Sequence, residues 1–110
     1  MVANDLLKGT LRTIILKLLS ENKELYGYEM TQKVEEQSNG AIKLTFGALY
    51  PVLHKLEAEG ILKTRKQELG KRTRIYYTLT QLGKKTATVK MAEFAEFVKT
   101  MRYILHPAIK

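Results

Sequence analysis

In Gly60-Ile-Leu-Lys-Thr-Arg-Lys-Gln-Glu-Leu-Gly-Lys-Arg-Thr-Arg-Ile-Tyr-Tyr-Thr-Leu-Thr80 the apolar period changes from helical to alternating. From Arg72 to Leu79, Ile75, Tyr77 and Leu79 point one way while Arg74, Tyr76 and Thr78 point the other, as on a half-buried strand. Leu62 to Glu68 makes a partner strand, joined through Leu69-Gly70-Lys71, where Gly70 supplies the positive backbone angle of a tight hairpin. Lys63, Arg65, Lys66, Lys71, Arg72 and Arg74 stand in this stretch against a single acid, Glu68. Such a hairpin is either a solvated tip or a grip on a polyanion.

The segment before the hairpin is helical. Thr45 can cap a helix running to about Gly60, in which Leu49, Leu53 and Leu56 are spaced four and three apart and share a buried face, with Val52 beside them. The other face carries Gly47, Tyr50, His54 and Ala58, with Pro51 and Lys55 at its margin. Pro51 conflicts with this helix, because it has no N–H for the Gly47 carbonyl and its ring crowds that turn. Either the regular helix begins near Gly47 or its first turn is distorted. Two helices precede it. Residues 5–20, capped by Asn4 or Asp5, repeat Leu7, Leu11, Ile14, Ile15 and Leu18 at three- and four-residue spacing. Tyr28 to about Gln37 forms an acidic second helix, with Met30 and Val34 inward and Glu35 and Glu36 outward, closed by Ser38-Asn39-Gly40.

Beyond the hairpin, Thr80 opens a last helix that ends before His106-Pro107, where the proline biases its predecessor out of helical geometry. Ala87, Met91, Phe94, Val98, Met101 and Leu105 form a heptad-spaced seam. From Thr80 to Leu105 the rod is ~39 Å long at ~1.5 Å per residue, longer than a small trihelical core covers. Phe97 and Ile104 widen its apolar face. A second copy of the chain is the simplest cover, so a homodimer through this seam is expected.

The 110 residues are one domain's worth. Lys and Arg number 19 against 11 Asp and Glu, a formal charge of +8. Residues 62–79 hold +5 of it and residues 20–40 hold −3, so the second helix is a poor surface for phosphates and the hairpin a good one. There is no Cys, which excludes disulfides and thiolate chemistry and fits a reducing, cytoplasmic setting. His54 and His106 lie far apart without a companion at ligand spacing, so neither a metal nor another cofactor is expected. No Ser-His-Asp set and no phosphate-cradling glycine loop is apparent, which argues against an enzyme. The longest aliphatic run, Ile14-Ile15-Leu16, is far too short to span a membrane.

Three helices, a hairpin and a further helix make a winged helix-turn-helix: mainly α with a small β-hairpin, plus a long carboxy-terminal dimerisation helix. The expected division is a DNA-binding unit over 1–79 and the dimerisation helix over 80–110. In this docking the last helix of the trihelical core enters the major groove and the wing holds flanking phosphates. The candidate contacts to double-stranded DNA are Lys43, Thr45, Gly47, Tyr50, His54 and Lys55 around the third helix, and Arg65, Lys66, Lys71, Arg72 and Arg74 on the wing. Gly47 leaves room for close approach, and Lys43 and Lys55 suit phosphates better than bases. Thr45 is first a cap, though a capped helix start also presents N–H groups to a phosphate. Tyr50 can contact DNA or close the edge of the core, and His54 can contact DNA or be an ordinary surface residue. Glu57 reads as structural. Dimer symmetry calls for a pseudo-palindromic operator.

Tyr26-Gly-Tyr-Glu-Met30, Gly47-Ala-Leu-Tyr-Pro51 followed by Leu53 and Leu56-Glu57, Gly60-Ile61, and Arg74-Ile-Tyr-Tyr-Thr-Leu-Thr80 with Gly83 resemble the signature of PadR-type transcriptional regulators. The resemblance runs from about Leu6 to Met101, and the single carboxy-terminal helix is similar to the short subgroup of that family. It implies a homodimeric, operator-binding repressor, often released by small aromatic or cationic compounds. It also implies an effector contact at a large aromatic on the last helix, which falls at Phe94. Phenylalanine stacks but has no indole N–H, and the chain has no Trp, so packing across the dimer is the competing role for Phe94. The reading from another class is a basic protein–protein or membrane-surface module built on the amphipathic last helix. Concentration of Lys and Arg on the hairpin rather than along that helix's margin disfavours it.

Overall fold

Helix α1 (Asn4–Glu21) lies at the centre of the molecule, and its sequence explains why. Leu7, Leu11, Ile15 and Leu18 form the expected stripe, but Leu16 and Leu19 are buried as well, so neighbours cover α1 on more than one face. The structure, a computed structural model, describes residues 4–106. Around α1 follow β1 (Leu25–Tyr26), α2 (Gly27–Gln37), α3 (Phe46–Ala58), β2 (Leu62–Leu69), β3 (Arg72–Leu79) and α4 (Gln81–Leu105). This is the winged helix-turn-helix order with a long final helix. Asn4 and Asp5 both fall inside α1, so neither is its cap, and the residue before Asn4 lies outside the described residues, as does Pro107.

α2 begins where the Tyr26 N–H donates to the Glu29 carboxylate at 3.1 Å. It ends with Asn39 and Gly40 at positive φ, the Gly40 N–H returning to the Glu35 carbonyl at 2.8 Å. Met30 and Val34 bury its inner face. α3 is anchored by Leu49, Leu53 and Leu56, none with any exposed surface. Each contributes ~2–5 kcal/mol by the scale of Leu-to-Ala truncations, which makes α3 a rigid mount for whatever its outer face does.

The sheet is antiparallel in the order β1-β3-β2. Its hairpin is tighter than the sequence suggests: Leu69 pairs with Arg72, so Gly70-Lys71 alone makes the turn, with Gly70 at φ +64°. The third strand, β1, pairs Leu25 with Tyr77 and Tyr26 with Tyr76. Two residues are too few to carry a period, so nothing in the sequence announces it. Its effect is to tie the start of α2 to the root of the wing.

Thr80 caps α4, its Oγ1 accepting the Gly83 N–H at 3.0 Å while donating to the Gly60 carbonyl at 2.6 Å. Gly83 then passes the Ile61 carbonyl so closely that any Cβ would overlap the oxygen. This fixes the line on which α4 departs. Ala87 and Met91 pack against the common core, and beyond them the helix runs clear of it. The molecule is accordingly elongated, 58 × 30 × 20 Å, with a radius of gyration of 15.5 Å against ~13 Å for a compact chain of this length.

Candidate nucleic-acid interface

The outer face of α3 is built from its cap outward. The Thr45 hydroxyl accepts the Ala48 N–H at 3.2 Å, and the Thr45 carbonyl accepts the Leu49 N–H at 3.0 Å. A regular helix therefore starts at Phe46, and Pro51 sits inside it, denying only the Gly47 carbonyl a partner. Gly47 is exposed, and a Cβ there would meet nothing nearer than the Thr45 Oγ1 at 4.0 Å. Nothing among the described residues requires a glycine at that position, although glycine costs a helix ~1 kcal/mol relative to alanine. Pro51, His54 and Lys55 are exposed.

Tyr50 closes the edge of the core while its hydroxyl stays clear of it. Its ring is half-buried against the core, seated on Gly27 at the start of α2 so closely that a Cβ on Gly27 would overlap the hydroxyl. That hydroxyl is not buried and has no protein partner among the described residues. Phe46 and His54 flank the Tyr50 ring at 5.7 and 6.0 Å between centroids. Phe46 continues the three-and-four spacing of Leu49, Leu53 and Leu56, yet it is 49% exposed because the helix start overhangs the end of the core.

The wing divides into cations that are engaged and cations that are not. Arg65 is engaged: its guanidinium donates to both Glu24 oxygens, at 2.6 and 3.2 Å, and lies over the Tyr76 ring at 4.5 Å. These hydrogen bonds hold the Glu24 carboxyl below the usual carboxylate range. Arg65 thus ties the wing root to the loop before β1 while its side chain stays about half exposed. Arg74, half-buried, lies over the Tyr26 ring at 4.0 Å and donates to the Tyr76 hydroxyl at 3.3 Å. Tyr26 and Tyr76 meet edge to face at 5.5 Å, so two arginines cover a T-shaped pair of rings. Lys66, Lys71 and Arg72, by contrast, are exposed and have no acidic partner among the described residues, and Lys43 and Lys55 are in the same position. Glu57 accepts the Thr64 hydroxyl at 3.2 Å, a structural link from α3 to the wing.

Between the wing and α3 lies an open cleft of about 470 Å3, bordered by Tyr28, Phe46, Tyr50, Arg72 and Arg74. It brings Tyr50 together with two of the wing arginines. Phe46 and Tyr28, both exposed, are not among the DNA contacts expected from the sequence. The signal available for Phe46 was a large apolar side chain directly after the helix cap, where a core has ended.

Along α4 the seam is not uniform. Ala87 is 1% exposed and belongs to this chain's own core, so it has no surface to offer a second chain, which corrects its assignment to the dimer interface. Met91, Phe94 and Met101 are half-buried, while Val98 and Leu105 are exposed beside Phe97 and Ile104. Phe94 borders an apolar groove of about 430 Å3 between α1 and α4, with Ile14, Leu18 and Met91 on its walls. Among the described residues no three His, Cys, Asp or Glu side chains gather where they could hold a metal ion. No described helix is long and apolar enough to cross a membrane.

Comparison with known proteins agrees with this architecture. The model of the "Transcriptional regulator PadR-like family" matches residues 15–89. A transcriptional regulator of Mycobacterium tuberculosis is 33% identical over 81 residues, covering 74% of this chain and 72% of that one. The structure of a transcriptional regulator from Clostridium thermocellum superposes with a TM-score of 0.81 at 28% identity, over 93% of this chain and 96% of that one. Bacillus subtilis PadR, solved in complex with operator DNA, superposes with a TM-score of 0.67 at 32% identity, over 74% of this chain and 46% of that one.

Proposed function

The chain belongs to the PadR-like family of DNA-binding transcriptional regulators, and on that footing we propose that it is a homodimeric cytoplasmic repressor of a pseudo-palindromic operator, released by a small aromatic or cationic effector. The observation that carries the reading is the cleft itself: the exposed start of α3 faces a wing whose Arg72, Lys71 and Lys66 have no acidic partner among the described residues. α3 enters the major groove, and Lys43, Thr45, Gly47, Tyr50, His54 and Lys55 contact DNA. Lys66, Lys71, Arg72 and the half-buried Arg74 hold the flanking backbone. Residues 1–79 bind DNA and 80–110 dimerise, the boundary marking a change of role, since the first turns of α4 belong to the common core.

Dimerisation uses Met91, Phe94, Val98, Met101 and Leu105. The support is an α4 that leaves the core carrying Phe97, Val98, Ile104 and Leu105 on its surface, an apolar face that a second copy covers at the least cost. The groove beside Phe94 is the place for an effector that alters the angle between α1 and α4. Two identical α3 helices then meet half-sites ~34–36 Å apart, or a multiple of that spacing. Footprinting on the fragment upstream of the protein's own gene tests this. Protection with two-fold character supports it; a footprint without it, or equal retention by anionic vesicles and duplex DNA, refutes it.

A further inference from the structure

α3 contains no Arg, Asn or Gln. Those residues, with Lys, make the bidentate hydrogen bonds by which a helix distinguishes guanine or adenine in the major groove. The hydrogen-bonding side chains α3 does have are Tyr50, His54, Lys55 and Glu57. Glu57 is engaged by Thr64, and Lys55 lies in the last turn, away from the helix start. What that start presents is an aromatic ring. Phe46 is the first residue of α3, half-exposed at the mouth of the cleft, with small exposed Gly47 and Ala48 beside it. The Tyr50 ring, itself seated on Gly27, supports it from behind at a 48° tilt. An apolar side chain held in this position gains little from the fold, while thymine alone among the bases offers an apolar group, its C5-methyl, to the major groove.

We propose that Phe46 is a specificity-determining residue that reads thymine in each operator half-site by packing against the C5-methyl. This rests on the major-groove docking of α3 proposed above, and it adds that sequence choice at the helix start is made by apolar contact. Cytosine at that position would offer no methyl group to the ring, and the operator retains a thymine there.

The test uses the full chain and a duplex enriched by it from a randomised pool. Each thymine of that duplex is replaced in turn by deoxyuridine, which deletes the methyl group and keeps the base pair. One position per half-site should weaken binding about fourfold, the effect of one buried methyl. Phe46→Ala should bind the thymine and deoxyuridine duplexes alike at that position while melting at the parent's temperature. The proposal is overturned if the parent protein is indifferent to every deoxyuridine, a result that needs no variant. It is equally overturned if Phe46→Ala retains the parent's fourfold difference. Failure to enrich any duplex is a separate result, which would overturn the docking of α3 and the role of Phe46 with it.

Discussion

Replacing Gly83 with Ala adds one methyl group where α4 passes the Ile61 carbonyl. The added Cβ would overlap that oxygen and approach the Leu79 side chain at 3.1 Å. Helix propensity alone predicts a gain, since alanine is favoured over glycine by up to ~1 kcal/mol. The obstructing atom is backbone, however, and it is held in place by accepting the Thr80 N–H at 3.1 Å, while the adjoining Gly60 carbonyl accepts the Thr80 hydroxyl at 2.6 Å. Overpacking costs ~1–3 kcal/mol. With the upper end appropriate to a backbone obstruction, the net destabilisation is ~2 kcal/mol, or a Tm lowered by ~10 °C for a domain of this size. Gly9, inside α1, has open space around its Cβ position, so Gly9→Ala isolates propensity and should raise Tm by a few degrees. Thermal melts of both variants and the parent at one protein concentration make the comparison, because the proposed dimerisation would render Tm concentration-dependent. A Gly83→Ala protein that melts at or above the parent, or a Gly9→Ala protein that loses as much, would refute the close approach that sets the direction of α4.

Arg72→Ala should weaken binding to all DNA sequences alike and reduce the salt slope by ~0.9 for each phosphate that the variant leaves unneutralised, read from binding isotherms at several salt concentrations; an unaltered slope removes Arg72 from the interface. Tyr50→Phe should lose ~1 kcal/mol of operator affinity with little change in Tm, because the hydroxyl has no partner among the described residues to lose; a clear thermal loss with intact binding would make Tyr50 purely structural. Val98→Asp places a carboxylate on the exposed part of the seam and should give monomers by sedimentation at low micromolar concentration, since an unpaired buried charge costs several kcal/mol; persistence of the dimer would move the interface elsewhere. The Glu24–Arg65 strut should contribute fully above the unfolded Glu pKa of ~4.3 and be lost as pH falls through the lower folded-state value. Side-chain carboxyl resonances should show Glu24 titrating below the usual carboxylate range and returning to it in Arg65→Ala, and an ordinary midpoint in the parent would contradict the strut.

The sequence by itself determined those features whose cause lies within a few residues of chain. The Leu49, Leu53 and Leu56 spacing makes a helix because a period of 3.6 puts these side chains on one face. Thr45 and Thr80 start helices because each hydroxyl reaches an N–H three residues on, and Gly70 turns the hairpin because it tolerates positive φ. The concentration of charge on the wing is likewise local, and together these order the elements into a winged helix. Tertiary structure decided what depends on partners far apart in sequence. Arg65 meets Glu24 across 41 residues, and that distant acid, invisible to any local pattern, engages one wing cation while Arg72 has no acidic partner among the described residues. Ala87 has the spacing of an interface residue, but the crossing of α4 over α1 buries it within its own chain. Phe46 has the spacing of a core residue, but α3 overhangs the core and leaves its ring exposed. Periodicity fixes which face of a helix a side chain occupies; whether that face is covered, and by which chain, depends on where the packed elements end.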